Sequence, residues 1–173
     1  MRLKEKIPDF TDYERRPFDG TGTTCYLAQY FNAIYVINGD ASDASSIYIY
    51  NAAAKSWTKQ TMTNGGFDPS SFNAILDHDT NVFYALSKGE LYFADFGQLA
   101  AANATAISWT DVGKAPYADG YQPVMALAQN HIHFLDVPST PAGDANIFVI
   151  HCECLCTLID RETNMVSRLV VPA

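Results

Sequence analysis

The phrase Asn32-Ala33-Ile34-Tyr35-Val36-Ile37 returns as Asn81-Val82-Phe83-Tyr84-Ala85-Leu86 and again as Asn130-His131-Ile132-His133-Phe134-Leu135, each time after 49 residues. A beat of this length marks one supersecondary unit used repeatedly, with neighbouring units burying each other's apolar faces. No other feature limits the fold as strongly.

From Cys25 onward, short aromatic and β-branched runs alternate with Gly, Asn, Asp and Ser, the pattern of strands and turns. The first unit predicts strands over Cys25–Tyr30, Ala33–Ile37, Ser46–Asn51 and Ser56–Thr61. The second predicts Phe72–Leu76, Val82–Leu86, Glu90–Ala94 and Ser108–Val112. The third predicts Pro123–Ala128, His131–Leu135 and Asn146–Ile150, with a fourth strand after His151. Phe31-Asn32, Asp77 to Asn81 and Gln129-Asn130 are the turns between the first two strands of each unit. Trp57 and Trp109 fall on the fourth strands of units one and two. A single helical turn is expected only in the Ala-dense stretch Gln98 to Ala104. Four antiparallel strands per repeat of about 40–50 residues is the signature of a β-propeller blade.

The expected class is therefore all-β: antiparallel four-stranded blades of an incomplete β-propeller. Residues 1–24 read as an N-terminal arm or partial strand. Residues 25–151 read as three blades, about 25–66, 67–115 and 116–151, and residues 152–173 as a divergent Cys-containing tail.

Nineteen acidic side chains against eleven basic ones give a formal charge of −8, which phosphate backbones repel; nucleic acid is excluded as a partner. No apolar run reaches the roughly 18 residues of a membrane helix. The charged start, Met1-Arg2-Leu3-Lys4-Glu5-Lys6, has no apolar segment behind it and does not read as a signal peptide. Asn103-Ala104-Thr105 is a glycosylation sequon, of consequence only in a secreted chain.

Asn32 to Gly39, then Ser46-Ile-Tyr-Ile-Tyr-Asn51, then Lys55-Ser-Trp57 resembles a kelch repeat. Units two and three keep the order but not the glycines, with Ser87-Lys88-Gly89 and Val137-Pro138 in their place. The stretch Gly120 to Asp136, together with Ile147-Phe-Val-Ile-His151, is similar to fungal secreted proteins of the galactose oxidase/kelch type. The resemblance covers about residues 25–151. It implies a propeller scaffold and does not by itself imply an enzyme. No third Trp appears near residue 160, and no aromatic residue follows Phe148. The text after His151 therefore reads as a truncated or altered frame, or else as a closing strand at Leu155–Ile159 or Ser167–Val171.

Several constellations bear on chemistry. His131 and His133 are two apart on a predicted strand and share a face, which can begin a zinc or copper site. They stand where unit one has Ala33 and Tyr35, so a structural role for His133 is preferred and the pair remains a weak metal candidate. Cys152, Cys154 and Cys156 also alternate, without the spacing of a structural zinc loop. Asp68, Asp77, Asp79, Asp119, Asp136 and Asp144 lie at predicted turns, where Asp serves local hydrogen bonding. Copper-radical oxidases on this scaffold use a Tyr cross-linked to a Cys, a second Tyr and two His. Cys25 and Tyr26 are adjacent, and neighbours on a strand face opposite ways. No catalytic residue and no cofactor is assigned.

The preferred function is a non-catalytic binding scaffold that presents loop residues Phe67, Asp68, Tyr117, Asp119 and Tyr121, expected to be exposed, to a protein or carbohydrate ligand. The alternative is a galactose-oxidase-like copper oxidoreductase in a longer form. Three blades leave sheet faces and edges open, so self-association is a further expectation.

Overall fold

The computed structural model describes residues 18–19, 22–115, 120–129 and 131–139, and the backbone alone of 145–151 and 167–171. The chain is all-β and folds as three four-stranded antiparallel sheets. Sheet 1 runs in sequence order through β1 (Thr24–Ala28), β2 (Ala33–Ile37), β3 (Ile47–Asn51) and β4 (Ser56–Gln60). A two-residue strand, β5 (Met62–Thr63), follows. Sheet 2 comprises β6 (Asn73–Asp77), β7 (Val82–Ser87), β8 (Glu90–Asp95) and β10 (Thr110–Lys114). The intervening β9 (Ile107–Ser108) pairs in parallel with β5. Sheet 3 comprises β11 (Val124–Ala128), β12 (His131–Leu135), β13 (Ala145–His151) and β14 (Ser167–Val171).

The turns follow from residue chemistry. Asn32 (φ 49°) and Asn81 (φ 60°) close the first hairpins of sheets 1 and 2 in the left-handed region that Asn tolerates. Their carbonyls do the same work: Asn32 O accepts from Ala52 N at 2.8 Å, and Asn81 O accepts from Phe96 N at 3.1 Å. Each bond ties the end of a third strand to the turn before the second. In sheet 3 the hairpin is shorter and Gln129 (φ 51°) takes the left-handed position. Lys88 and Gly89 both have positive φ (51° and 80°), which gives β7 and β8 a tight two-residue connection matched to strand twist.

The 49-residue beat is also a rule for which way side chains face. Ala33, Tyr35 and Ile37 of β2 face sheet 2, where Phe83, Ala85, Tyr92 and Ala94 meet them. Val82, Tyr84 and Leu86 of β7 face sheet 3, against Ile132 and Phe134. Sheet 2 is thus covered on both faces, and every residue of β7 is buried. Burying one such aromatic or branched side chain contributes roughly 1.5–3 kcal/mol, so these two seams supply most of the core. The first strands of successive sheets lie side by side, β1 with β6 and β6 with β11.

Two sequence expectations need correction. Gln98 to Ala104 forms no helical turn; its backbone is held by other partners. Leu99 O accepts from the Tyr35 hydroxyl at 2.5 Å, Ala102 N donates to Thr58 Oγ1 at 2.8 Å, and Asn103 N donates to Gln60 Oε1 at 2.9 Å. The two tryptophans are not equivalent. Trp57 sits on β4 and faces the outside of sheet 1, where Phe18 and Tyr50 contact it. Trp109 lies between β9 and β10 and is buried in the seam between sheets 1 and 2, its backbone N–H donating to Thr63 O at 2.9 Å. The parallel β5–β9 clip displaces it from the strand register. The fourth strand of sheet 3 is Ser167–Val171, paired with Ala145–Val149. That is the second of the two closing strands considered, and Leu155–Ile159 lies outside the described residues, as do Cys152, Cys154 and Cys156.

Candidate functional site

The loops entering β6 and β11 and the turn joining β7 to β8 lie at one end of the sheets, because antiparallel order brings the start of each first strand beside the end of the second. Asn73 pairs with Leu86 in register, and Val124 with Leu135. Of the sequence-predicted ligand residues, Phe67, Asp68 and Tyr121 lie at this end, but they do not act alike.

Phe67 is 3% exposed and stacks on Trp109 with ring centroids 4.1 Å apart; Phe72 and Tyr92 also contact it. It is a core residue and not an exposed loop aromatic. The reason is the Gly65-Gly66 turn (φ 55° and 104°), closed by Phe67 N donating to Asn64 O at 2.7 Å, which folds the ring inward. Tyr121, 9% exposed, packs with the Ile132–Phe134 cluster and donates its hydroxyl to Leu135 O at 2.5 Å. The expectation of exposure fails for both because each ring fills a seam. Tyr117 and Asp119 lie outside the described residues.

Asp68 does reach the surface of this end. Its carboxylate accepts from Lys88 Nζ at 2.6 Å, from Ser70 N at 2.9 Å and from Ser70 Oγ at 2.6 Å. The Lys88 ammonium, with the Ser70 donors behind it, holds the carboxyl down at about 2. A second acidic turn repeats the device. Lys59 bridges Asp40 at 3.0 Å and Asp43 at 2.9 Å. Ser46 and then Lys59 hold Asp43 down at about 2, while Ser42 and Lys59 push Asp40 below the usual carboxylate range. These acids are ionised and committed to their own turns. General acid catalysis needs a carboxyl pushed the other way, toward neutral pH. Asp77 is likewise spent, accepting from Asp79 N at 3.0 Å and from Thr80 Oγ1 at 2.8 Å.

Sequence reasoning missed the lysines and amides of this end. Asn73 Nδ2 donates to Gln122 Oε1 at 2.7 Å, joining sheets 2 and 3 at their rims. These residues are themselves one repeat apart, a signal that the spacing carried. Asn38 Nδ2 donates to Pro69 O, joining the rims of sheets 1 and 2. The rim therefore presents lysine, carboxylate and amide groups on a rigid base, which suits a polar, hydrogen-bonding ligand.

Cys25 is exposed, whereas Tyr26 turns into the seam against Phe83, with ring centroids 5.0 Å apart. Burial, with the neighbouring Cys25, pushes the Tyr26 hydroxyl up to about 12. The two groups face opposite sides of β1, so they are not placed for a thioether cross-link. Among the described side chains, no three His, Cys, Asp or Glu groups converge as a metal site. Among the described residues, no helix is long and apolar enough to cross a membrane.

The fold and its rim define an all-β protein of stacked four-stranded antiparallel sheets. No family model and no curated protein matches the chain.

Proposed function

We propose that the three sheets are blades of a kelch-type β-propeller and that the chain is a non-catalytic scaffold whose loop rim binds a protein or carbohydrate. The observation that carries the reading is the stacking: sheets 1 and 2 each turn a second-strand face to the sheet that follows, and the first strands β1, β6 and β11 lie side by side as blades around an axis do. The committed carboxylates of the rim support binding over acid–base chemistry. The opposed Cys25 and Tyr26 give no support to a copper-radical site.

Propellers close with about four to eight blades. The outer face of sheet 1 carries Leu27, 63% exposed, with Cys25, Ile34 and Trp57. In this reading that face packs against a further blade or a second copy of the chain.

Calorimetric titration with a panel of neutral oligosaccharides, comparing wild type with Lys88→Ala and Gln122→Ala, tests the ligand class. Saturable binding weakened by both rim substitutions is expected. Stoichiometric copper with alcohol-dependent peroxide release would sink the scaffold reading in favour of an oxidoreductase. Light scattering after size exclusion tests the open face: a monomer at every concentration counts against it.

A further inference from the structure

Asn103-Ala104-Thr105 is the only Asn-x-Ser/Thr sequon in the chain, and the fold presents it as an ordered surface turn. It sits in the loop between β8 and β9, where Asn103, Ala104 and Thr105 are all exposed. Thr105 N donates to Asn103 Oδ1 at 2.9 Å, an Asx turn in which the side chain stands in for a backbone acceptor. That bond occupies the amide oxygen and orients the amide plane. The nitrogen is left over: among the described residues, neither Asn103 Nδ2 nor the Thr105 hydroxyl has a hydrogen-bond partner.

Sheet 1 builds the base under this turn. Gln60, the last residue of β4, is fully buried. Its Oε1 accepts from Asn103 N at 2.9 Å and its Nε2 donates to Thr105 O at 2.8 Å, so one side-chain amide clamps the tripeptide at both ends. Thr58 Oγ1 accepts from Ala102 N at 2.8 Å just before the tripeptide, and Ile107 N donates to Thr61 O at 3.1 Å just after it. All of these bonds use backbone atoms of the loop, so a group added at Asn103 Nδ2 breaks none of them. β4 is the edge strand of sheet 1 farthest from β1. A bulky, solvated group beside it shields an open sheet edge and stays clear of the side where β1, β6 and β11 adjoin. The tripeptide is legible in the sequence, but the clamp that displays it joins residues 43 and 45 positions apart.

We infer that Asn103 is the acceptor of an asparagine-linked oligosaccharide in a chain that enters a secretory compartment. The co-substrate is an oligosaccharide carried on a lipid diphosphate. Asn103 Nδ2 attacks the anomeric carbon, and the new C–N bond forms as the C–O bond to the diphosphate breaks. The lipid diphosphate departs with the electron pair, and one Nδ2 proton passes to a base of the transferase. The Thr105 hydroxyl is the second group the sequon presents to that enzyme. Once folded, the clamped turn carries the glycan with its hydrogen bonds intact. This site does not rest on the propeller reading.

The test is translation of the full chain behind a cleavable leader in the presence of eukaryotic microsomes, scoring only chains that added protease cannot reach. One glycan per imported chain is expected. An amidase that releases asparagine-linked glycans should remove it from the native, undenatured protein and leave aspartate at position 103, read by peptide mass. Asn103→Gln and Thr105→Ala should each abolish the modification, while Thr105→Ser, which keeps the hydroxyl, should retain it. Circular dichroism of the glycosylated and amidase-treated chains should give the same β signature. Imported chains that stay unmodified, or a glycan that survives Asn103→Gln, overturn the assignment. Release only after denaturation overturns the display of the turn at the surface.

Discussion

Asn81 donates from Nδ2 to the hydroxyl of Tyr35 at 2.7 Å, across the buried seam between sheets 1 and 2. The same amide donates to Gly97 O at 2.9 Å, and the tyrosine passes its own proton to Leu99 O at 2.5 Å. A turn residue of one repeat thus fastens a strand residue of the previous repeat and the loop after β8. In a low-dielectric seam such a chain of bonds is costly to leave half-made.

Tyr35→Phe should therefore destabilise the chain by about 1–3 kcal/mol, because it orphans the Leu99 carbonyl and one Asn81 donor. Asn81→Ala should cost more, since alanine also resists the left-handed backbone at that position. Urea midpoints for both variants and the double mutant should reveal a coupling of roughly 1 kcal/mol. Strict additivity would mean the bond does not join the sheets.

Gly65 and Gly97 offer a matched pair. A Cβ at Gly65 would lie 2.2 Å from Trp109 O, while one at Gly97 meets nothing within 4 Å; both have left-handed φ. Gly97→Ala should cost only the local strain of about 1–2 kcal/mol. Gly65→Ala must also push back the β9–β10 backbone and should lower the thermal midpoint well beyond that. Equal losses in differential scanning calorimetry would refute the close approach.

Trp109 and Trp57 should separate in the same way. Trp109→Ala removes a fully enclosed indole stacked on Phe67, a loss of about 3–5 kcal/mol. Trp57→Ala removes a half-buried ring from an outer face and should cost clearly less. Fluorescence of the single-Trp variants checks the placement: Trp109 should emit to the blue of Trp57.

The acidic turns set the acid limb of stability. Asp43 and Asp68 are held at about 2 in the folded chain, below the roughly 3.9 of an unfolded Asp. Their contribution is fully present above about pH 5 and is lost as pH falls from about 4 toward 2. Lys88→Ala should release Asp68 and make that fall shallower. At the other end, Asp43 and Asp40 raise Lys59 above its ordinary range and burial holds Tyr26 at about 12. Both contributions persist below the unfolded values near 10 and are lost as pH rises through the folded ones. Denaturant midpoints across pH would show a plateau bounded on both sides; a midpoint independent of pH below 5 would contradict the Lys88 pairing.

How much of this was legible beforehand varies by element. β2 and β12 fall at their expected bounds, Ala33–Ile37 and His131–Leu135, because each is a short apolar run with a turn residue at its head. The second, third and fourth strands of the first unit were readable for the same local reason. Trp109 was misplaced because a parallel clip between β5 and β9, 45 residues apart, decides its position, and no local pattern encodes that pairing. Phe67 and Tyr121 were expected at the surface because they lie in loops; the seams they fill exist only once the sheets stack.

The sequence by itself determined the strands, their 49-residue period and the alternation of faces, since these depend on backbone sterics and on residues a few positions apart. Tertiary structure decided which face meets which. It turned Tyr35 and Tyr84 into core, left His133 partly exposed on the outer face of β12, and set Lys88 against Asp68. Burial and cross-strand register depend on loops and neighbours that no single segment contains, and that is the physical reason the repeat was visible in the text while the candidate sites were not.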